Sequence, residues 1–195
     1  MKTSDCDIVI VGVGGQGVIL ISDLLGRAAT KAGLPVRGAE THGMAQRGGS
    51  VINHTRIGCR FSPMVPSGGA DVLLALEPAE ALRFGHYLSN KGVALVNTEP
   101  VFPNSVIAGK FSYPGITELL DPLRRICRDV LPIDATGLAR DAGTAQAMNV
   151  VMLGALSKFI PLSEELLLEA LCEVVPPKYL EANKRAFQIG KAEVE

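Results

Sequence analysis

The stretch Asp7-Ile8-Val9-Ile10-Val11-Gly12 is apolar at consecutive positions after its first residue, with no polar alternate. Such a strand hides both faces, as in a parallel sheet covered by helices on each side. From Val18 to Lys31, Ile21, Leu24, Leu25 and Ala28 recur at helical spacing, and Gly33 supplies a stop. Leu34 to Glu40 predicts a second short strand, closing a β-loop-α-β unit. Ser50 to Ile57 alternates, with Val51, Asn53, Thr55 and Ile57 on one face and Ile52, His54 and Arg56 on the other. That pattern predicts a strand with at least one polar face. Asp71–Leu76 and Val93–Asn97 are further buried strands. Between them a helix over Ala79–Leu88 opens at Glu77-Pro78, and Asn90-Lys91-Gly92 makes a turn. Residues 98 to 114 are irregular, Ile116 to Val130 has helical periodicity, and Leu131 to Ala135 reads as a last strand. From Thr144 to about Ala192 the chain is helical in three pieces, broken at Pro161 and Pro176-Pro177. Strand–helix alternation followed by helices predicts an α/β fold in one domain over 1–195. Its sheet is Rossmann-like and mainly parallel, flanked by helices, with a helical C-terminal third.

Composition narrows the function classes. Lys plus Arg is 19 against 20 Asp plus Glu, a net charge of -1, so no basic excess supports binding to nucleic acid. Trp is absent and Tyr and Phe number three and six, too few for base-stacking platforms. No apolar run approaches the roughly 20 residues that cross a bilayer. The first five residues lead straight into a strand-like run, so no secretory leader is expected and the expected address is the cytoplasm. Cys6, Cys59, Cys127 and Cys172 lie at wide, irregular gaps without a CxxC pair. This spacing does not suit zinc or an iron–sulfur cluster held by this chain alone.

Two glycine-rich loops carry the candidate chemistry. Gly12-x-Gly14-x-x-Gly17 lies between a strand and a helix. Glycine there permits a tight turn and lets a phosphate or carboxylate approach the helix N-terminal N–H groups. Glu40, near the end of the second strand, occupies the place of a ribose-binding acid, which keeps a nicotinamide or flavin site open. The same glycines would also serve mere close packing of helix on strand. The Gln16 amide at the helix start is suited to bonding a ligand or a neighbouring chain. The second loop, Thr41 to Gly49, holds His42, Gln46 and Arg47 among Gly43, Gly48 and Gly49. Arg47 suits a phosphate or carboxylate, and His42 is a donor, acid or base near neutral pH. Both loops follow strands of the same unit, so they should sit side by side at the carboxyl edge of the sheet. His54 reads as a packing or interface residue and His86 as part of a solvated face. Glu77 reads as a helix N-terminal acid, and Asp134 and Asn149 as members of buried caps or networks. No Ser-His-Asp, HExxH, paired-carboxylate or Walker pattern is present.

Val11-Gly-Val-Gly-Gly-Gln-Gly17, Glu40-Thr-His-Gly-Met-Ala-Gln-Arg-Gly-Gly-Ser50 and Arg56-Ile-Gly58 together resemble the gamma-type subunits of 2-oxoacid:ferredoxin oxidoreductases. The version they resemble is the small (beta) subunit of indolepyruvate:ferredoxin oxidoreductase. Asp71-Val-Leu-Leu-Ala-Leu-Glu-Pro-Ala-Glu80, Asn97 and Asn149-Val-Val-Met-Leu-Gly-Ala155 continue the resemblance over nearly the whole chain. It implies an enzyme that oxidatively decarboxylates a 2-oxo acid, an aryl pyruvate such as indolepyruvate, to an acyl-CoA, with ferredoxin as acceptor. Thiamine diphosphate does the carbanion chemistry. The resemblance puts that cofactor and the iron–sulfur clusters on a larger partner subunit, with coenzyme A as cosubstrate. This chain alone would then bind no cofactor and show no turnover. Gly14, Gly15, Gln16, Gly17, His42, Gln46, Arg47 and Gly48 are the positions it implies as facing the shared site. No catalytic residue or metal ligand is assigned. On this reading the glycine loop serves docking or an acyl-CoA pocket rather than a dinucleotide. A free-standing NAD(P)- or FAD-binding oxidoreductase, a pure docking module and self-association of the isolated chain stay open.

Overall fold

In a computed structural model, which describes residues 5–42, 48–59 and 61–194, the first apolar run becomes β1 (Cys6–Val13), an interior strand of a six-stranded sheet. The elements that follow are α1 (Val18–Lys31), β2 (Val36–His42), β3 (Ser50–Ile57), β4 (Ala70–Ala75), α2 (Pro78–Phe84) and β5 (Leu88–Asn97). Then come α3 (Asn104–Ile107), α4 (Ile116–Arg124), β6 (Asp129–Ile133), α5 (Ala135–Asp141), α6 (Met148–Leu156), α7 (Glu164–Val174) and α8 (Pro177–Ala192).

The strands lie in the order β2-β3-β1-β4-β5-β6. β1, β4, β5 and β6 pair in parallel, whereas β3 runs antiparallel to both β1 and β2. The sheet is thus mixed, and β1 and β2 are not neighbours. A short connection can return the chain only as an antiparallel strand, and β3 makes that return between them. β1 alternates between two cores. Ile8 and Ile10 meet Leu24 and Leu25 of α1 and the C-terminal helices, while Val9 and Val11 meet Ala81 of α2 and Leu120 and Leu123 of α4.

The strand over Ser50–Ile57 carries its expected polar positions, and three of them, Asn53, His54 and Thr55, are buried. Their polarity is met internally, since the Thr55 hydroxyl donates to Asn53 Oδ1 and the Val65 N–H donates to His54 Nδ1. Two expected elements differ. Asn90-Lys91-Gly92 is not a turn but an irregularity within β5, where the register against β4 shifts between Ala70 and Val72. The helix expected to reach Val130 stops at Arg124, and Asp129 and Val130 already belong to β6. The short α5 was not foreseen. It starts where the Asp134 side chain accepts from the Gly137 N–H. All nine residues of α6 are buried, because α8 crosses it closely on one side and the sheet lies on the other. Among the described residues no helix is long and apolar enough to cross a membrane.

Candidate functional site at the carboxyl edge

β1, β4 and β5 end at the same edge of the sheet, and β3 begins there, with Ser50 paired opposite Val13. Here the two glycine loops meet. The Gly14 N–H donates to the Gly49 carbonyl at 2.8 Å, and the Gly48 N–H donates back to the Gly14 carbonyl at 3.4 Å. Their side-by-side placement is as expected, but it arises because β3 leads the second loop back to β1 and not from adjacency of β1 and β2. Gln46 and Arg47 lie outside the described residues. His42 ends β2 opposite Val51, and only its backbone is described.

Within the first loop the glycines do different work. A Cβ on Gly12 would stand 2.9 Å from Gln16 Oε1 and 3.1 Å from Leu76 Cβ, so Gly12 is there for packing. Gly17 (φ 88°) lies against Asn149 of α6, whose Nδ2 would be 2.0 Å from a Cβ. Gly15 (φ 104°) is exposed, and a Cβ there would meet nothing within 4 Å. Gly48 (φ 77°) is equally open. Gly15 and Gly48 are therefore the positions where an outside group can approach bare backbone.

Gln16 is turned inward. Its Oε1 accepts from the Val13 N–H at 2.7 Å and its Nε2 donates to the Leu76 carbonyl at 2.9 Å. The side chain thus staples its own loop to the end of β4. The Leu76 carbonyl also accepts from Asn97 Nδ2 at 3.0 Å, at the end of β5. Asn97 Oδ1 is the one buried side-chain acceptor without a partner among the described residues.

The segment after Leu76 holds two further loops. Glu77, 2% exposed, caps α2 by accepting from the Glu80 N–H, as expected of a helix N-terminal acid. Its other oxygen accepts from the Tyr113 hydroxyl and, at 3.4 Å, from the Val101 N–H, so it pins both ends of the 98–115 connection. Burial, and then the Glu77 carboxylate, push the Tyr113 phenol well above its ordinary pKa. Glu80 accepts from the Ser50 hydroxyl at the root of the second glycine loop, and Arg83 stands 3.5 Å away. Burial raises the Glu80 carboxyl. Ser50, Glu80 and Tyr113 have no sequence signal of their own, because their pairings span long separations and no local periodicity marks them. Asn149 had one: a lone amide in an apolar helix.

Glu40, the ribose-acid candidate, sits on the edge strand β2, separated from β1 and its glycine loop by β3. A dinucleotide held at the loop would need that acid on the neighbouring strand, so the dinucleotide geometry is absent. His54 is buried as a packing residue with its ring edge-on to Tyr87, and His86 is exposed. Among the described residues no three His, Cys, Asp or Glu side chains converge as metal ligands. The four cysteines are free, and burial, with Asp71 and Asp7 nearby, pushes Cys6 up to about 12. The edge thus offers bare backbone at Gly15 and Gly48, with Glu77, Glu80 and Tyr113 all committed to internal bonds. It can form one wall of a site or interface.

Comparison with known proteins agrees with this architecture. A family model described as pyruvate ferredoxin/flavodoxin oxidoreductase matches residues 7–193. The chain is 45% identical over 186 residues to indolepyruvate oxidoreductase subunit IorB of Archaeoglobus fulgidus, covering 94% of this chain and 92% of that protein. It is 44% identical over 192 residues to the subunit of the same name from Thermococcus kodakarensis, covering 94% and 93%. The crystal structure of the gamma subunit of a keto/oxoacid ferredoxin oxidoreductase from Geobacter sulfurreducens superposes with a TM-score of 0.71 at 26% identity, covering 97% of this chain and 98% of that one.

Proposed function

Since the chain belongs to the pyruvate ferredoxin/flavodoxin oxidoreductase family, we propose that it acts as the small subunit of an enzyme that oxidatively decarboxylates an aryl 2-oxo acid such as indolepyruvate. The product is an acyl-CoA and the electron acceptor is ferredoxin. A larger subunit supplies thiamine diphosphate and the iron–sulfur clusters, and this chain packs beside the thiamine site. The described residues contain no donor set that fits a cluster, and their carboxyl-edge acids are committed to internal bonds. On this reading the chain contributes positioning: a wall with bare backbone at Gly15 and Gly48, in a sequence whose second loop also carries His42, Gln46 and Arg47.

The observation that carries this reading is the backbone pairing of the two glycine loops through Gly14, Gly48 and Gly49, which makes one face from two motifs. Arg47, with its planar fork of donors, suits an anionic group of substrate or coenzyme A at that face. The test is reconstitution. The chain and its larger subunit are purified separately, and coenzyme A-dependent reduction of ferredoxin is followed with indolepyruvate, phenylpyruvate and pyruvate. Turnover should need both chains and favour the aryl substrates. Full activity of the larger subunit alone would refute the reading. Arg47→Ala should lower turnover while assembly persists; loss of assembly instead would reassign Arg47 to docking.

A further inference from the structure

We propose that the segment Val101–Ile116 is a docking arm for the larger subunit, displayed in a fixed pose by the hydrogen bond from Tyr113 to Glu77. The proposal rests on the function proposed above and adds the surface through which the partner is held.

Eleven large hydrophobic side chains are exposed among the described residues, and five of them fall within this one segment: Val101, Phe102, Ile107, Phe111 and Ile116. Ile107 and Phe111 are 72% and 70% exposed. Residues 98–115 carry only two charges, Glu99 and Lys110. A cluster of exposed apolar side chains with so little charge marks a contact surface.

The arm is also held in place. The Glu77 carboxylate accepts from the Tyr113 hydroxyl near one end and from the Val101 N–H near the other. The Tyr113 hydroxyl in turn accepts from the Ala79 N–H at 3.2 Å. Phe102 packs edge-on against the Tyr113 ring, with centroids 5.3 Å apart. A carboxylate buried at the end of β4 thus serves to fix a segment whose own apolar side chains lie outside the core. Fixing it in advance removes ordering cost from binding.

Position and size identify the occupant. The arm leaves the carboxyl end of β5, and its latch residue Glu77 directly follows Leu76, whose carbonyl holds Gln16 of the first glycine loop. Arm and glycine loops therefore share one edge. Five partly exposed side chains offer a few hundred square ångströms, short of the roughly 800 Å² per partner of a stable interface. The chain that covers the arm must extend further, and the same edge leads to the glycine loops that face the larger subunit. A second copy packing through the arm alone would bury too little.

The test uses the reconstituted complex. Ile107→Ser together with Phe111→Ser should raise the concentration of small subunit needed for half-maximal assembly with the larger subunit at least tenfold. Tyr113→Phe, which keeps the ring and removes the latch, should raise it severalfold. Phe61→Ser, on the loop after β3 at the opposite edge and 86% exposed, should leave it unchanged. A photo-crosslinking amino acid placed at 111 should capture the larger subunit, and one placed at 61 should not; this readout stands even if the double variant folds poorly. Unchanged affinity and no crosslink from 111, in a complex that assembles and turns over, would overturn the arm and leave the proposed function intact. A crosslink from 111 to a second copy of this chain would overturn it in favour of self-association. Failure of the wild-type chain to assemble would sink the underlying function as well.

Discussion

The Ser50 hydroxyl donates to a carboxylate oxygen of Glu80 on α2 that is otherwise cut off from solvent. Ser50 is the residue at which the second glycine loop becomes β3, and it pairs across from Val13, where the first loop begins. One bond therefore ties the meeting point of both loops to α2. Ser50→Ala leaves a buried carboxylate short of a donor, which costs about 1–3 kcal/mol. Glu80→Gln keeps an acceptor for the hydroxyl and should cost less. In a double-mutant cycle on unfolding free energy the pair should couple by about 1 kcal/mol. Additive effects would mean the bond is not made in solution. Burial also raises the Glu80 pKa above 4.5 in the folded chain. Such a group stabilises the fold fully below the unfolded value and loses that contribution as pH rises through the folded value. The melting temperature of Glu80→Gln should therefore gain on wild type as pH is raised from 4 to 7.

His54 gives the opposite sign. Burial between β1 and β2 lowers its pKa below 6.5, and its Nδ1 accepts from the Val65 N–H. The unfolded chain then binds the proton more tightly than the folded one. Above 6.5 both states are neutral and His54 contributes no slope; as pH falls below it, stability is lost. His54→Gln retains an acceptor for Val65 and should flatten the fall in melting temperature between pH 7.5 and 5. An unchanged slope would assign the acid sensitivity to other groups.

Gly154 and Gly190 let α6 and α8 touch backbone to backbone. A Cβ on Gly154 would lie 2.0 Å from the Phe187 carbonyl oxygen, and one on Gly190 would lie 1.9 Å from that of Val151. Backbone cannot yield as a side-chain end can. Alanine at either position should cost about 3 kcal/mol or more, a fall in melting temperature of about 6–12 °C for a chain this size. Gly26→Ala on α1, where a Cβ meets nothing within 4 Å, should stabilise by about 0.5–1 kcal/mol. Comparable losses at all three would show that helix crossing is not what these glycines serve.

Much of the fold was legible because it rests on local periodicity. The consecutive apolar residues of β1 and the helical spacing of Ile21, Leu24, Leu25 and Ala28 determine their elements with little help from the rest of the chain. Strand order was not legible. The antiparallel insertion of β3 between β1 and β2 depends on a short return that no residue announces, and it removed Glu40 from the neighbourhood of the glycine loop. The candidate site shows the same divide. The two glycine motifs could be read as one edge, and Glu77 as a helix-starting acid. The inward turn of Gln16 and the holds of Glu80 on Ser50 and of Glu77 on Tyr113 are side-chain bonds between distant segments. Their partners become neighbours only once the sheet is assembled.

The first glycine loop allows a packing glycine and a facing glycine to be told apart by experiment. Both Gly15 and Gly17 have positive φ, so alanine is strained at either, by about 1 kcal/mol. At Gly17 the new methyl also runs into the buried Asn149 side chain of α6, 2.0 Å from its Nδ2 and 3.1 Å from its Cγ. Gly17→Ala should therefore lower the melting temperature of the isolated chain more than Gly15→Ala. At Gly15 the methyl enters open space, so the isolated chain should fold and melt only slightly lower. In the reconstituted complex the order reverses for function: Gly15→Val, which fills that space, should reduce coenzyme A-dependent turnover or assembly at least tenfold with the fold retained. Gly15→Val with full turnover would remove this loop from the proposed interface. Equal melting of Gly15→Ala and Gly17→Ala would mean that Asn149 does not close on the loop in solution.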